Sequence, residues 1–390
     1  MNEKRLSQQL RSFERLLDTY VKGKEPLSRF LTLFFKENRQ MGSNDRRTLS
    51  RWSYNYFRLG EGLPALPVLE RLTIAEYLCC TESDVVALLD PALSHTITET
   101  IDGKLLLLAN RFSFDVHEVF PLIAHVSADL DTGLFLKSLF RQPKLFLRLR
   151  PGAESIVLKC LERNQINYER IGRSCLALEN GTKLDQYEEL RGMYEVQDRS
   201  SQQTGDYFEA KAGEKWWDAC AASGGKSLLL MQTYPGVNLL VSDVRSSILR
   251  NLDERFEKAA IKDYRRKIID LTKDPSIILG NDTFDGIILD APCSGSGTWG
   301  RTPEMMQQFS EGKLRYFVDL QRRILQNVIR HLKVNKPLIY ITCSVYGAEN
   351  EEQVAFAEKL GLRLERATLL KGYENRADTM FVARLIKNPL

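Results

Sequence analysis

Several features that would classify a chain at once are missing from this one. No apolar run approaches the ~18 residues of a membrane-crossing helix; the stretch Leu105 to Ala109 is typical of its longest. Met1-Asn2-Glu3-Lys4-Arg5 leads into charged amphipathic sequence without the apolar core of a signal peptide. A cytoplasmic soluble protein with no membrane association is therefore expected. No two of the 7 cysteines stand at CxxC spacing, which argues against a zinc ribbon or a disulfide framework. No metal is expected, and any special cysteine should be a reduced, reactive one. Charge imbalance is slight: 55 Lys and Arg face 51 Asp and Glu, a formal +4. That balance permits a nucleic-acid partner without requiring one. What is present is 390 residues with 43% hydrophobic content, enough for two or three cores rather than one.

The first third reads as helical. Leu6, Leu10, Phe13, Leu17 and Tyr20 recur at helical spacing, as do Leu27, Phe30, Leu31 and Phe34. No β-alternation appears before residue 143. Between residues 36 and 58 stand Lys36, Arg39, Arg46, Arg47, Arg51 and Arg58, interleaved with Trp52, Tyr54, Tyr56 and Phe57. An RNA-facing helix would read this way, and so would a solvated face over an aromatic core; the second is favoured because such charge runs are common on helices. From residue 143 the rhythm changes. Leu145, Leu147 and Leu149 alternate with Phe146, Arg148 and Arg150 as a strand with one basic edge. A helix through Ile156, Leu158 and Leu161 and a short strand at Cys175 to Leu178 complete a small module, which reads equally as a linker subdomain or as one whose basic side, Arg148 included, is suited to a phosphate backbone.

In the second half, Trp216 to Ala219, Val237 to Ser242, Lys267 to Ile269, Phe284 to Leu289 and Leu338 to Thr342 are short apolar runs separated by helical patterns. This is the pattern of a mostly parallel sheet covered on both faces, in which ligands bind beyond the carboxyl ends of the strands. The chemically able residues fall at those ends. Ala221-Ala222-Ser223-Gly224-Gly225-Lys226 follows the first strand, Asp243 the second, Asp270 the third, Asp290-Ala291-Pro292-Cys293 the fourth and Cys343 the fifth. The glycine turn allows close backbone approach at a helix N-terminus, yet it fits neither the P-loop nor the GxGxxG spacing. Asp243, some 20 residues on, stands where an acid bonds ribose hydroxyls; Asp270 suits an adenine amino group or a nearby backbone donor, and either acid taken alone reads as a helix cap or turn residue. A nucleoside cofactor without pyrophosphate fits, and S-adenosyl-L-methionine is the obvious one. Cys79, Cys80, Cys160 and Cys175 read as packing thiols and Cys220 as a packing residue against the cofactor. Cys293 and Cys343, each ending a buried strand, read as reactive, with Lys226 close enough in the pattern to favour a thiolate.

The segments WWDACAASGGKS, FDGIILDAPCSGSGTWGRTPE and LIYITCSVYGAENEEQV resemble the RNA cytosine-5 methyltransferases of the Sun/Fmu and nucleolar-protein family, as does Val196-Gln197-Asp198-Arg199-Ser200-Ser201-Gln202. The resemblance covers about residues 140 to 390. It implies a Rossmann-like class I methyltransferase core at 196–390, a small ferredoxin-like α+β module at 137–195 and an all-α domain of NusB type at 1–136. It further implies methyl transfer from S-adenosylmethionine to carbon 5 of a cytosine in RNA, ribosomal rather than transfer RNA, by a monomer. Carbon 5 of cytosine is a poor nucleophile until a thiolate adds to carbon 6. By resemblance Cys343 is that nucleophile, and Cys293 assists proton removal and product release. Asp290 bonds the N3–N4 edge of the base, and Lys226 touches the base or supports the charged thiol. Cys220 through Lys226, with Asp243, Asp270 and Asp290, form the cofactor site. The base leaves its stack to react, and Arg301 with Pro303-Glu304 holds the strand.

Three positions depart from the family pattern. Ser223 stands in the proline place of the turn, Arg245 replaces a frequent second acid, and Asn335-Lys336 replaces a glycine pair. Two other functions fit parts of the chain. A catalytically silent RNA-binding or ribosome-assembly factor would keep the fold but would not need both thiols. A methyltransferase acting on protein or small molecules would need neither the thiol pair nor a basic module.

Overall fold

A computed structural model of the chain describes residues 3–21 and 25–389; Met1 and Asn2, part of the sequence read as lacking a signal peptide, lie outside them. The chain forms two compact units. The first comprises Met1–Ala124, Asp131–Gln142 and Thr298–Glu311, and the second His125–Leu130, Pro143–Gly297 and Gly312–Leu390.

The first unit is helical among its described residues: α1 (Glu3–Thr19), α2 (Leu27–Glu37), α3 (Ser43–Arg58), α4 (Val68–Cys79), α5 (Asp84–Leu89), α6 (Pro91–Ser94), α7 (Ile101–Phe112) and α8 (Thr132–Ser138). The apolar stripe Leu6, Leu10, Phe13 and Leu16 of α1 is buried against Trp52 and Phe57 of α3, with Phe13 edge-on to Trp52 at 5.9 Å. The aromatic residues of the basic stretch are therefore partly core. Arg58 also turns inward: its guanidinium is buried and donates to Leu139 O, Gln142 Oε1 and Gly300 O. Residues 298–311 are built into this unit. Glu304, 2% exposed, accepts the Leu27 N–H at 3.1 Å, and Trp299 lies 5.0 Å from Phe120. Pro303 and Glu304, expected to hold an RNA strand, are buried instead. A polar side chain that satisfies a helix N-terminal donor reads in sequence like a free one.

The second unit carries two sheets. In the smaller, β1 (Leu145–Leu149), β2 (Tyr168–Arg170), β3 (Cys175–Leu178) and β4 (Tyr194–Val196) pair antiparallel in the order β2-β3-β1-β4. Helix α9 (Glu154–Arg163) covers one face through Val157, Cys160 and Leu161. Where a ferredoxin-like module has a second helix, the segment before β4 makes only a 3-10 turn at Glu188–Leu190.

The larger sheet runs β10-β11-β9-β8-β5-β6-β7. Its strands are β5 (Lys215–Asp218), β6 (Asn238–Asp243), β7 (Tyr264–Ile268), β8 (Gly286–Asp290), β9 (Pro337–Thr342), β10 (Leu362–Leu370) and β11 (Met380–Lys387). Strands β5 to β9 are parallel, and β11 lies antiparallel between β9 and β10. The helices of this unit are α10 (Arg199–Gln203), α11 (Gly225–Thr233), α12 (Ser246–Lys258), α13 (Ser276–Leu279), α14 (Glu311–Val328) and α15 (Glu351–Lys359). The strand expected at Lys267 to Ile269 begins earlier, as Tyr264-Arg265-Arg266-Lys267-Ile268, because it is an exposed edge and needs no apolar run. After β5 the chain builds outward to β6 and β7, then returns to the other side with β8 and β9. The switch point lies at β5 and β8, whose carboxyl ends open the crevice.

The sheet core is tightly filled where β8 meets β5. A Cβ added at Gly286 would come within 2.4 Å of the Trp216 indole, and Trp216 is fully buried. Gly286→Ala is expected to lower stability by about 1–3 kcal/mol through overpacking, read as a lower urea midpoint; an unchanged midpoint would refute this account of the glycine.

Candidate active site

Adjacent parallel strands end side by side, and this brings the two distinctive cysteines together. Asp290 ends β8 and leads through Ala291 and Pro292 to Cys293; Thr342 ends β9 and is followed directly by Cys343. The two Sγ atoms lie 3.3 Å apart, and both cysteines are half-buried. The neighbouring Cys343 sulfur and burial both push the Cys293 thiol well up from its usual range. Cys79, Cys80 and Cys175 are also pushed up, chiefly by burial, the last two to about 11. That is the behaviour of packing thiols.

The two loops are tied by Glu349, which is fully buried. Its carboxylate accepts from the Ser294 N–H and Oγ, from Ser344 Oγ and from Gln321 Nε2. Burial raises its pKa, against the effect of these donors. The Gly297 N–H donates to Cys343 O at 2.9 Å, and the Thr379 N–H donates to Gly297 O at 2.9 Å. A Cβ at Gly297 would lie 1.9 Å from Thr379 O, so this position admits only glycine.

At the end of β5 the chain turns through Ala221 to Gly224 into α11. Ala222 and Gly224 both take left-handed backbone, with φ of +47° and +83°. Asp243, buried at the end of β6, accepts the Ala222 N–H at 3.1 Å. Its carboxylate also accepts from the Arg245 N–H at 2.9 Å and from the Arg245 guanidinium at 3.1 and 3.3 Å. The acid expected at a ribose is thus present, with Arg245 already folded onto it. At Gly225 an added Cβ would meet only the Arg255 guanidinium, 4.0 Å away, so the first turn of α11 is open to close approach by a ligand. Cys220 sits in this turn half-buried, its thiol pushed well up by burial and by the acids Asp218, Asp243 and Asp290.

Lys226, 7% exposed, donates to Asp290 Oδ2 at 3.1 Å and to Ser201 Oγ at 2.9 Å. Among the described residues it hydrogen-bonds neither thiol and holds Asp290 directly. Ser201 is reached in turn by Gln197 Nε2 at 3.1 Å, and Gln197 Oε1 accepts from Arg148 Nε at 2.6 Å. Arg148, expected on the basic side that meets RNA, is 5% exposed and spends its guanidinium on Gln197 and Gln232. Arg301 belongs to the 298–311 stretch of the helical unit. Asp270 is turned toward its own loop, where Oδ1 accepts from the Thr272 N–H at 3.0 Å and from Thr272 Oγ1 at 2.6 Å. It is a turn residue, and these bonds lower its pKa. Gln197, Ser201 and Glu349 were not singled out from the sequence, although each lies in a segment that carries the family resemblance.

Asp218 ends β5 and is fully buried. Oδ2 accepts from Ser227 Oγ at 2.6 Å, and Oδ1 has no partner among the described residues. It offers a ligand an acceptor that the chain leaves unused, as a nucleoside cofactor at this turn would require. Burial pushes its pKa up to about 7. The fold thus retains a proton that the unfolded chain gives up near pH 4, so this group's stabilisation is complete below about pH 4 and is lost as pH rises to about 7. Asp218→Asn keeps an acceptor for Ser227 but cannot ionise. Its stability relative to wild type is expected to rise by roughly 2–4 kcal/mol between about pH 5 and pH 8, measured as urea midpoints of both proteins across that range. A constant difference between the two would exclude titration of Asp218.

Residues 207–385 match the family described as 16S rRNA methyltransferase RsmB/F. Ribosomal RNA small subunit methyltransferase B of Enterobacter sp. (strain 638) is 32% identical over 210 residues, covering 50% of this chain and 48% of the relative. The same-named protein of Xylella fastidiosa (strain Temecula1 / ATCC 700964) is 32% identical over 214 residues, again 50% of this chain and 48% of the relative. The chain thus spans about half the length of the curated relatives it matches. Among solved structures, NSun6 from Pyrococcus horikoshii, solved with SFG, aligns with a TM-score of 0.61 at 16% identity over 69% of this chain and 97% of its own. The protein PH0851 aligns at 0.68 and 22% identity over 90% of this chain and 93% of its own. At those identities the structures show a shared fold. Residues 207–385, which hold the larger sheet's strands up to the end of β11 and the turns between them, are thus similar to the RsmB/F methyltransferases in sequence, and the chain shares the fold of the two solved structures.

Proposed function

We propose that the protein methylates carbon 5 of a cytosine in small-subunit ribosomal RNA through a covalent adduct with Cys343. The observation that carries this reading is the pair of thiols 3.3 Å apart at the ends of adjacent strands, beside an acid held by a buried lysine. Methyl transfer to a nitrogen, an oxygen or a protein side chain gives no reason for two convergent thiols. The names of the relatives supply the substrate class.

S-adenosylmethionine, bound at the Ala221–Gly225 turn, supplies an electrophilic methyl group. With Cys293 held in its thiol form beside it, Cys343 takes the nucleophile's part and adds to carbon 6 of the flipped base. Carbon 5 thereby becomes electron-rich enough to accept the methyl group. Asp290 keeps Oδ2 on Lys226 and has its other oxygen for the N3–N4 edge of the ring, where positive charge develops. Transfer of the carbon 5 proton to water then lets the bond between carbon 6 and sulfur break, Cys343 leaving as its thiolate, with Cys293 assisting that release. Arg301 is kept as an RNA contact in this reading.

Transfer of labelled methyl to small-subunit ribosomal RNA, prepared from cells lacking the gene, tests it. Wild type is expected to label the RNA. Cys343→Ala is expected to lose labelling by at least ~10³-fold, as loss of a covalent nucleophile does. Cys293→Ala is expected to trap a protein–RNA adduct that survives denaturing electrophoresis. Full methylation by Cys343→Ala would sink the mechanism; an unlabelled RNA pool with wild type would favour a silent RNA-binding factor.

A further inference from the structure

The cofactor turn lacks the proline of the family pattern and has Ser223 there. A proline fixes φ and removes conformations from the free chain, so a turn without it needs some other constraint. Arg255 supplies one. Its Nη1 donates to Ser223 O at 3.0 Å and to Ser223 Oγ at 3.1 Å, and its Nη2 donates to Glu195 Oε2 at 3.0 Å. Glu195 is 8% exposed, and its other oxygen accepts from Arg150. Arg150 in turn donates to Lys258 O at 2.8 Å, at the end of the helix that carries Arg255. The Arg255 fork is therefore aimed from behind rather than free to swing.

The same face of α12 grips the neighbouring residue. Leu252, Arg255 and Phe256 share that face by helical spacing. A Cβ at Gly224 would lie 2.8 Å from Leu252 Cγ and 2.9 Å from Phe256 Cε1. Ser223 N–H donates to nothing among the described residues, so a proline ring at this position would forfeit no hydrogen bond. Asp243 holds the turn from the other side, through the Ala222 N–H.

We infer that Arg255, aimed by Glu195, is a positioning residue that holds the Ala221–Gly224 turn in its cofactor-binding shape, the constraint that proline provides elsewhere in the family. It acts through Ser223 and touches no reacting atom. The inference rests on reading this turn as the S-adenosylmethionine site.

A double-mutant cycle on the full chain, with S-adenosylhomocysteine binding measured by titration calorimetry, tests it. Arg255→Ala is expected to weaken binding about tenfold, the scale of a lost charge-assisted hydrogen bond. With Ser223→Pro already present, the same change is expected to cost less than about threefold, because the two constraints are redundant and so non-additive. Should Arg255→Ala fold poorly, Arg255→Gln is read in the same two backgrounds, its thermal midpoint reporting that it is folded. An equal loss in both backgrounds, or no loss beside Ser223, would overturn the positioning role. Wild type that binds no S-adenosylhomocysteine would instead overturn the cofactor reading of the turn, and this inference with it.

Discussion

The buried carboxylate of Glu349 is the constraint on which the thiol pair depends. Strands β8 and β9 set two cysteines on neighbouring loops, but strand pairing ends at Asp290 and Thr342, before either thiol. Beyond that point the loops are joined by Glu349, which collects Ser294 from one, Ser344 from the other and Gln321 from α14, and by direct bonds from the Gly297 N–H to Cys343 O and from the Val345 N–H to Ser296 Oγ. Taking a carboxylate out of water costs several kcal/mol unless its oxygens are satisfied, and here both are. The arrangement is therefore favourable only when complete, and it frames the 3.3 Å approach of the two sulfurs.

The cofactor end of the crevice poses the opposite electrostatic problem. Asp218, Asp243 and Asp290 end three neighbouring strands and converge on one small volume. Each is managed differently. Asp218 is driven toward its neutral form by burial. Asp243 is covered by Arg245, and Asp290 is paired with Lys226. Behind Lys226 the chain Arg148, Gln197 and Ser201 fixes its position. Arg148 is thus a support of the site from the interior. Its alternation in β1 with leucines marked a face of the strand but not whether that face met water or protein.

Much of the architecture was legible because parallel strands covered on both faces must be continuously apolar. Trp216-Trp217, the run through Ile288 and that through Ile339 announced themselves for this reason. The parts that escaped notice lack that requirement. Of strand β7, an exposed edge written as Tyr-Arg-Arg-Lys-Ile, only the last two residues were read as strand. Strands β10 and β11 form an antiparallel return, and Arg384 in the middle of β11 is intelligible only beside Glu365 and the Tyr207 and Phe208 carbonyls. Glu304 looked like a free acid after a glycine loop, yet it closes the N-terminus of α2 from 277 residues away.

By itself the sequence determined the helical first third, the order of the parallel strands, and the expectation that Cys293 and Cys343 stand apart from the other five cysteines at the strand ends. Each of these follows from local pattern: periodicity, turn residues and position relative to a strand. Tertiary structure alone decided that Asp290 pairs with Lys226 while Asp270 bonds its own loop. It alone turned Arg148 and Glu304 inward and set Arg255 against Ser223. Those outcomes depend on hydrogen bonds and burial between residues far apart in the chain, and a side chain's own identity does not encode the partner that will neutralise it.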